Sequence, residues 1–162
     1  MIAAARQSLY AAATYAKAQG FKPIILGDDI EGEACEVAQH HAKMAREMAP
    51  GSILLSGGET TVTVHGSGKG GRNTEYLLAL GLALKDETNI YALAGDTDGI
   101  DGSENNAGAF WDTETFLRAH GRNPAAVLAI NDVYSLFAAA QDLVVTGPTH
   151  TNVNDFRAIL IR

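Results

Sequence analysis

Apolar positions along this chain alternate between helical spacing and short unbroken runs, and the alternation divides it into elements. Leu9, Ala12, Ala13 and Ala16 share one face of a helix predicted over residues 3–19, and Gly20 supplies the stop. No capping residue precedes that helix, which starts within a few residues of Met1; it reads as part of a chain cut from something longer. Residues 21–28 form a short buried strand that ends in a turn. Between Gly32 and Met48, the positions Ala34, Val37, Ala38, His41, Ala45 and Met48 trace a second helical face, closed by Pro50-Gly51. Ser52–Ser56 and the β-branched run Thr60–His65 read as two strands, and Gly57-Gly58 between them suits a hairpin. Asn73 is the candidate N-cap of a helix over residues 74–84, apolar nearly all round and therefore expected to be buried. Residues 89–94 predict another strand. Helical pieces follow over 113–120 and 124–140, and strands over 143–145 and 156–161 close the chain. The pattern predicts an α/β fold, a three-layer α/β/α sandwich with a mixed sheet, over residues 1–162 as a single domain.

Composition narrows the function classes. With 162 residues, 46% of them hydrophobic, the chain can bury a core without staples. A formal charge of −7 leaves no basic footprint for nucleic acid or for an anionic membrane surface, so an anion site would depend on local Arg, Lys and amide groups. No apolar run is long enough to span a bilayer, and Arg6, Gln7 and Ser8 interrupt any signal-like stretch. Cys35 is the only cysteine, which excludes an internal disulfide and a cysteine-based zinc site; it reads as a small packed side chain in a reducing, cytoplasmic compartment.

Candidate chemistry collects in three polar, glycine-rich clusters, each beside a predicted strand. The first runs from Gly57-Gly58-Glu59-Thr60-Thr61 into Gly66-Ser67-Gly68-Lys69-Gly70-Gly71-Arg72-Asn73. Its G-x-G-x-x-G is a weak dinucleotide signal, because the acidic residue after the next strand, Asp96, lies about ten positions too far along. Lys69 is followed by Gly70 rather than Ser or Thr, so a Walker A loop is excluded. A flexible glycine turn is the plain alternative. Arg72-Asn73 at a helix start favours an anion, since free N–H groups and the helix dipole point there and Arg grips carboxylate or phosphate with two bonds.

The second cluster holds Asp96, Asp98, Asp101 and Glu104. Ile100 and Ala107 occupy positions where an EF-hand needs ligands, but magnesium requires only one or two carboxylates besides phosphate. A general base or an ordinary Asp/Gly turn would serve the same residues. The third, Thr149, Thr151, Asn152, Asn154 and Asp155 after Gly147-Pro148, is dense in hydrogen-bonding side chains that bind ligands or shape turns. The five histidines have no metal-ligand spacing, and His40-His41 fall on a helix flank. Residue order supports no Ser-His-Asp or Cys-His constellation.

Taken in order, four stretches resemble the C-terminal part of the type 2 glycerate kinases, the MOFRL domain, some of whose members are named hydroxypyruvate reductase and come from tartrate-degradation operons. They are residues 57–64, 70–73, 97–102 and 146–155, and Gly32-Glu33-Ala34 is similar too. The resemblance runs from about Leu9 to the end. It implies a glycerate 2-kinase that moves the γ-phosphoryl group of ATP to the 2-hydroxyl of D-glycerate with Mg2+, in a cleft shared with a Rossmann-like N-terminal domain. That domain is missing here, so the resemblance implies half an active site, inactive alone, with the missing domain as its partner; homodimerisation is left open. On this reading Arg72 holds the carboxylate or the phosphoryl group, and Asp98 binds metal or takes the hydroxyl proton. Asp96 and Asp101 support it as metal ligands. Asn152, Asn154, Thr149 and Thr151 orient substrate or phosphate, and Gly70, Gly71 and Asn73 line the phosphate site. Glu59 braces Arg72. Phosphoryl transfer suits such a set, because it asks mostly for positioning and charge neutralisation. Two rival readings are an NAD(P)H-dependent hydroxypyruvate reductase and a non-catalytic anion-binding accessory domain.

Overall fold

The computed structural model describes residues 5–162; the start of the first predicted helix lies outside the described residues. α1 (Ala5–Ala18) buries Leu9, Ala13 and Ala16, one face at helical spacing. It ends at Gly20, whose φ of +85° lets the Phe21 N–H return to the Ala16 carbonyl. The chain then runs through β1 (Lys22–Glu33), α2 (Ala34–Arg46), β2 (Ser52–Thr61) and α3 (Arg72–Ala83). After β3 (Ile90–Asp96) and β4 (Gly108–Asp112) come three short helices, α4 (Thr115–Arg118), α5 (Pro124–Ala129) and α6 (Val133–Ala140). β5 (Leu143–Val144) and β6 (Asp155–Ile161) finish it.

The six strands form one mixed sheet in the order β1-β2-β6-β3-β4-β5. β1 and β2 are parallel through the α2 crossover, whereas β6 runs antiparallel between β2 and β3. Residues 54 and 55 show the layering. Leu54 joins the main core under α2, α3, α5 and α6, and its neighbour Leu55 faces α1 on the other side. The three-layer expectation therefore holds, with one qualification of extent. α1 covers only the β1–β2 side of its face, and farther along Tyr91 and Phe110 remain exposed.

Three expectations are corrected, and one strand was not predicted. Ser52–Thr61 is one strand rather than an arm of a hairpin: Gly57 and Gly58 pair with Phe156 and Asp155 of β6, and Gly58 stays in the sheet with a φ of +133° and its Cα against the Ile30 backbone, which only glycine allows. β1 continues past Asp28 to Glu33, because it stays paired with β2 across two register shifts, and α2 starts at Ala34. β4 had no sequence signal; its pairing with β3 and with β5 makes it a strand. The cap of α3 is Gly71, and Asn73 lies inside the helix.

α3 is the buried helix the sequence predicts, closed on nearly every side from Asn73 to Gly81. α2 presents alanines to it (Ala34, Ala38, Ala42 and Ala45 are all buried), which lets the two helices pack closely. This arrangement matters for function. The C-terminal ends of β2 and β3, the first residue of β6 and the N-terminus of α3 meet at one edge of the sheet, where open α/β sheets place ligands.

Candidate functional site

Arg72, the first residue of α3, is the hub of that edge. Its Nε donates to Asp155 Oδ1 at 2.8 Å, its Nη2 to Asp96 Oδ2 at 2.7 Å and its Nη1 to Glu59 Oε1 at 3.2 Å. The sheet register explains the convergence, since Asp155 pairs with Gly58 on one side and with Asp96 on the other. Burial alone would lower the Arg72 pKa, but the hydrogen bond and charge of Asp155, then the charges of Asp96 and Glu59, raise it. Burial lifts the Asp96 carboxyl to about 6, against the pull of the Asp98 N–H and of Arg72.

Beneath the hub lies a buried polar chain. Asp155 Oδ2 accepts from Arg157 Nη2 at 2.6 Å and from the Thr60 N–H at 3.3 Å, and its Oδ1 also accepts from Asn73 Nδ2 at 2.8 Å. Arg157 is 1% exposed and lies 5.2 Å over the Tyr76 ring, and the Tyr76 hydroxyl meets His41 Nδ1 at 2.8 Å. Burial lowers the Arg157 pKa, and burial followed by the Arg157 charge pushes His41 down to about 4. Arg157 Nε and Nη1 and Asn73 Oδ1 are buried without a hydrogen-bond partner. His41 therefore belongs to the core and not to a helix flank.

Asp101 has a different task. Its carboxylate accepts from the Asn73 and Thr74 N–H groups, both at 2.9 Å, and from the Thr74 hydroxyl at 2.8 Å. It fills the helix N-terminus that the sequence reading left open for an anion. Burial raises its pKa while those donors oppose the rise. Asp96 is engaged by Arg72 and by the Asp98 N–H, and Asp98 Oδ1 accepts from the Ile100 N–H. Among the described residues no three His, Cys, Asp or Glu side chains gather closely enough to hold a metal. Asp101 is spent on the α3 N-terminus, so Asp96, Asp98 and Asp101 do not gather as three ligands of one ion.

The glycine segment is packed rather than a flexible tip. The Gly68 N–H bonds to the Ile130 carbonyl, the Lys69 N–H to Asp132 Oδ1, and the Tyr134 N–H to the Lys69 carbonyl. A Cβ on Gly66 would collide with the Ile130 backbone and one on Gly68 with that of Asp132, so these glycines permit close backbone approach. The residues lining a cavity of about 420 Å3 include Thr60, Val62, Gly70, Gly71, Arg72 and Glu75. Glu75 is buried at its base, where Oε2 accepts from Asn131 Nδ2 at 2.9 Å and Cys35 Sγ lies 3.7 Å from Oε1. Burial raises the pKa of Glu75 and pushes the Cys35 thiol up to about 11, which suits the half-buried packed thiol expected of it.

The third cluster folds mostly upon itself. The Thr97 hydroxyl donates to the Asn154 carbonyl and accepts from the Val153 N–H, joining the second and third clusters. Asn152 Oδ1 accepts from the Asn154 N–H, and the Thr149 hydroxyl donates to the Thr97 carbonyl and accepts from the Thr151 N–H. Asp98, Thr151 and Asn152 line a separate shallow depression of about 320 Å3 with His150. Thus the structure gathers Arg72, Glu59, Asp96 and Asn73 around one point and puts Gly70 and Gly71 in the wall beside it, while Asp98 touches the point only through its N–H to Asp96 and, with Thr151 and Asn152, lines the separate depression. Asp155 was singled out only within the third cluster, not as the anchor of Arg72, and Arg157, Thr60, Glu75 and Asn131 were missed as site residues. A signal existed for two of them: Asp155 and Arg157 are opposite charges two apart on the inward-facing positions of a strand.

The MOFRL family matches residues 52–155, which contain every partner of Arg72 described above. The chain belongs to the MOFRL family. Among its relatives, a protein of Agrobacterium vitis named as a proposed hydroxypyruvate reductase is 48% identical, over 99% of this chain and 39% of its own length. The D-glycerate 2-kinase of Thermotoga maritima is 36% identical, over 89% of this chain and 37% of its own. A crystal structure of glycerate kinase from Thermotoga maritima superimposes with a TM-score of 0.93 at 34% identity, covering 98% of this chain and 41% of that one. The chain thus has the MOFRL-type fold of the glycerate kinases, and it spans about two fifths of the length of these relatives.

Proposed function

We propose that this MOFRL chain supplies one wall of an interdomain site in which ATP phosphorylates D-glycerate at its 2-hydroxyl, giving 2-phosphoglycerate. The observation that carries the proposal is the mounting of Arg72, a guanidinium fixed from behind by buried Asp155 and Asp96 at the C-terminal edge of the sheet. Kinase names among the relatives support the same reading. Arg72 would neutralise and orient the substrate carboxylate or the transferring phosphoryl group, a role in which positioning supplies most of the rate. The cavity wall of Val62, Gly70 and Gly71 would exclude water beside it. Magnesium would arrive with the nucleotide phosphates and draw from this chain on Asp98 at most, because Asp101 is committed to the helix N-terminus. The opposite wall and the remaining nucleotide contacts would come from the portion of the relatives that this chain does not span.

The test is an assay for 2-phosphoglycerate from D-glycerate, ATP and magnesium, run on the chain alone and with the remaining domain of a relative added. Activity only in the mixture is expected. No product despite demonstrated association would contradict the proposal. The name of the Agrobacterium vitis relative favours a second reading, hydroxypyruvate reduction by NAD(P)H. Loss of reduced-nicotinamide absorbance without ATP would select it.

A further inference from the structure

The three carboxylates on Arg72 are not equivalent. Asp155 is wholly buried and Asp96 nearly so, and both hold short contacts of 2.8 and 2.7 Å. Glu59 makes the longest contact, 3.2 Å, and its side chain is 57% exposed. It reaches Nη1 with one oxygen, and Arg72 makes three hydrogen bonds with carboxylates out of the five its guanidinium can donate. The two buried partners take Nε and Nη2, so the end of the fork that carries Nη1 is the end facing outward.

We propose that Glu59 is a placeholder for the ligand: in the free chain its carboxylate occupies the outer end of Arg72, and an incoming carboxylate or phosphoryl group displaces it. Glu59 thereby sets the affinity and selectivity of the site rather than bracing it. The charge balance requires this order of events. Glu59, Asp96 and Asp155 face Arg72 and Arg157, so with all groups charged the cluster carries a net −1 (two positive charges against three negative). Adding an anion without moving a carboxylate would place like charges together at a half-buried point. Swinging Glu59 into water costs little, because an exposed ion pair is weak. Removing Asp155 would strand Arg157, which is far costlier. The displaced group leaves Nη1 and the second N–H of Nη2, whose first is held by Asp96, as a two-pronged edge that suits a planar carboxylate or two phosphoryl oxygens.

This inference rests on Arg72 being the anion-binding group of the proposed site, but its test does not use turnover. Inorganic phosphate and, separately, D-glycerate are titrated into the chain while the Arg72 Nε–H resonance is followed by NMR. Glu59→Gln removes the competing charge, keeps the side-chain shape and sits at an exposed position, so the fold should persist. The expected result is tighter binding by up to about fivefold, the upper end of what an exposed ion pair allows. Tightening with D-glycerate alone or with phosphate alone would identify which anion takes the edge. Unchanged or weaker binding of both anions in Glu59→Gln would overturn the proposal, as would titrations in which neither protein moves the Arg72 resonance. Failure of the two-domain kinase assay alongside tightened anion binding would reject the reaction and keep the placeholder.

Discussion

The two polar regions at the sheet edge look alike in sequence and differ in how they are built. Around Arg72, charges are fixed by other charges beneath them: Asp155 is held by Arg157, which lies on Tyr76, which in turn meets His41. Around Asp98 and Thr149–Asn154, side chains are fixed by local turn bonds to nearby amides and stay largely at the surface. The first kind of region resists deformation, because each buried charge would be stranded without its partner. The second can adapt to a ligand at small cost. A site that needs one rigid anchor and one adjustable wall would be assembled this way.

The contrast breaks most visibly at its buried end. Arg157→Met should destabilise the chain by about 3–5 kcal/mol in urea unfolding, because it leaves Asp155 buried beside a single compensating arginine. A loss below about 1 kcal/mol would show that the relay is not what holds Arg72. Acid tests the same chain from its far end. His41 is neutral in the fold, with a pKa of about 4 against an ordinary value near 6.5. As pH falls from 6.5 to 4 the unfolded chain takes up this proton and the folded one does not, so stability is lost across that window, about 3 kcal/mol in all. His41→Gln should flatten this part of the stability profile between those limits. An unaltered slope would mean the imidazole titrates freely in the fold.

Smaller effects sharpen the comparison. Asp101→Ala removes the acceptor of two α3 N–H groups and should cost about 1–2 kcal/mol, measured as a shift in urea midpoint. If anion affinity rises in that variant, the helix N-terminus would be an alternative anion site after all. Asp98→Ala, in the adaptable region, should change stability by less than about 0.5 kcal/mol. A large loss there would erase the distinction between the regions.

Much of the fold was legible in the sequence, because burial wrote itself into periodicity. Leu9, Ala13 and Ala16 marked α1, and the all-round apolar run after Arg72 marked the buried α3. What stayed hidden was decided by neighbours distant along the chain. Gly57-Gly58 reads as a turn by composition, yet pairing with β6, and of Gly58 with β1, keeps it in the sheet. β4 is five residues long with no alternation of its own. In the site, Arg72 announced itself through its place before a helix. Asp101 looked like one carboxylate of a metal cluster, and only the close approach of its loop to α3 makes it a cap. Asp155 and Arg157 were read as the end of a turn and part of a strand, because nothing local shows that β6 inserts between β2 and β3.

The most direct test of the account is Arg72→Lys in the two-domain kinase assay. Lysine keeps the charge but loses the fork through which Asp155 and Asp96 aim the group. A fall in kcat/KM of roughly 100-fold or more is expected, the scale seen when an oriented donor to developing charge is lost, in a variant that circular dichroism shows to be folded. Turnover within a fewfold of the unaltered chain would contradict it, and would remove Arg72 from the centre of the site.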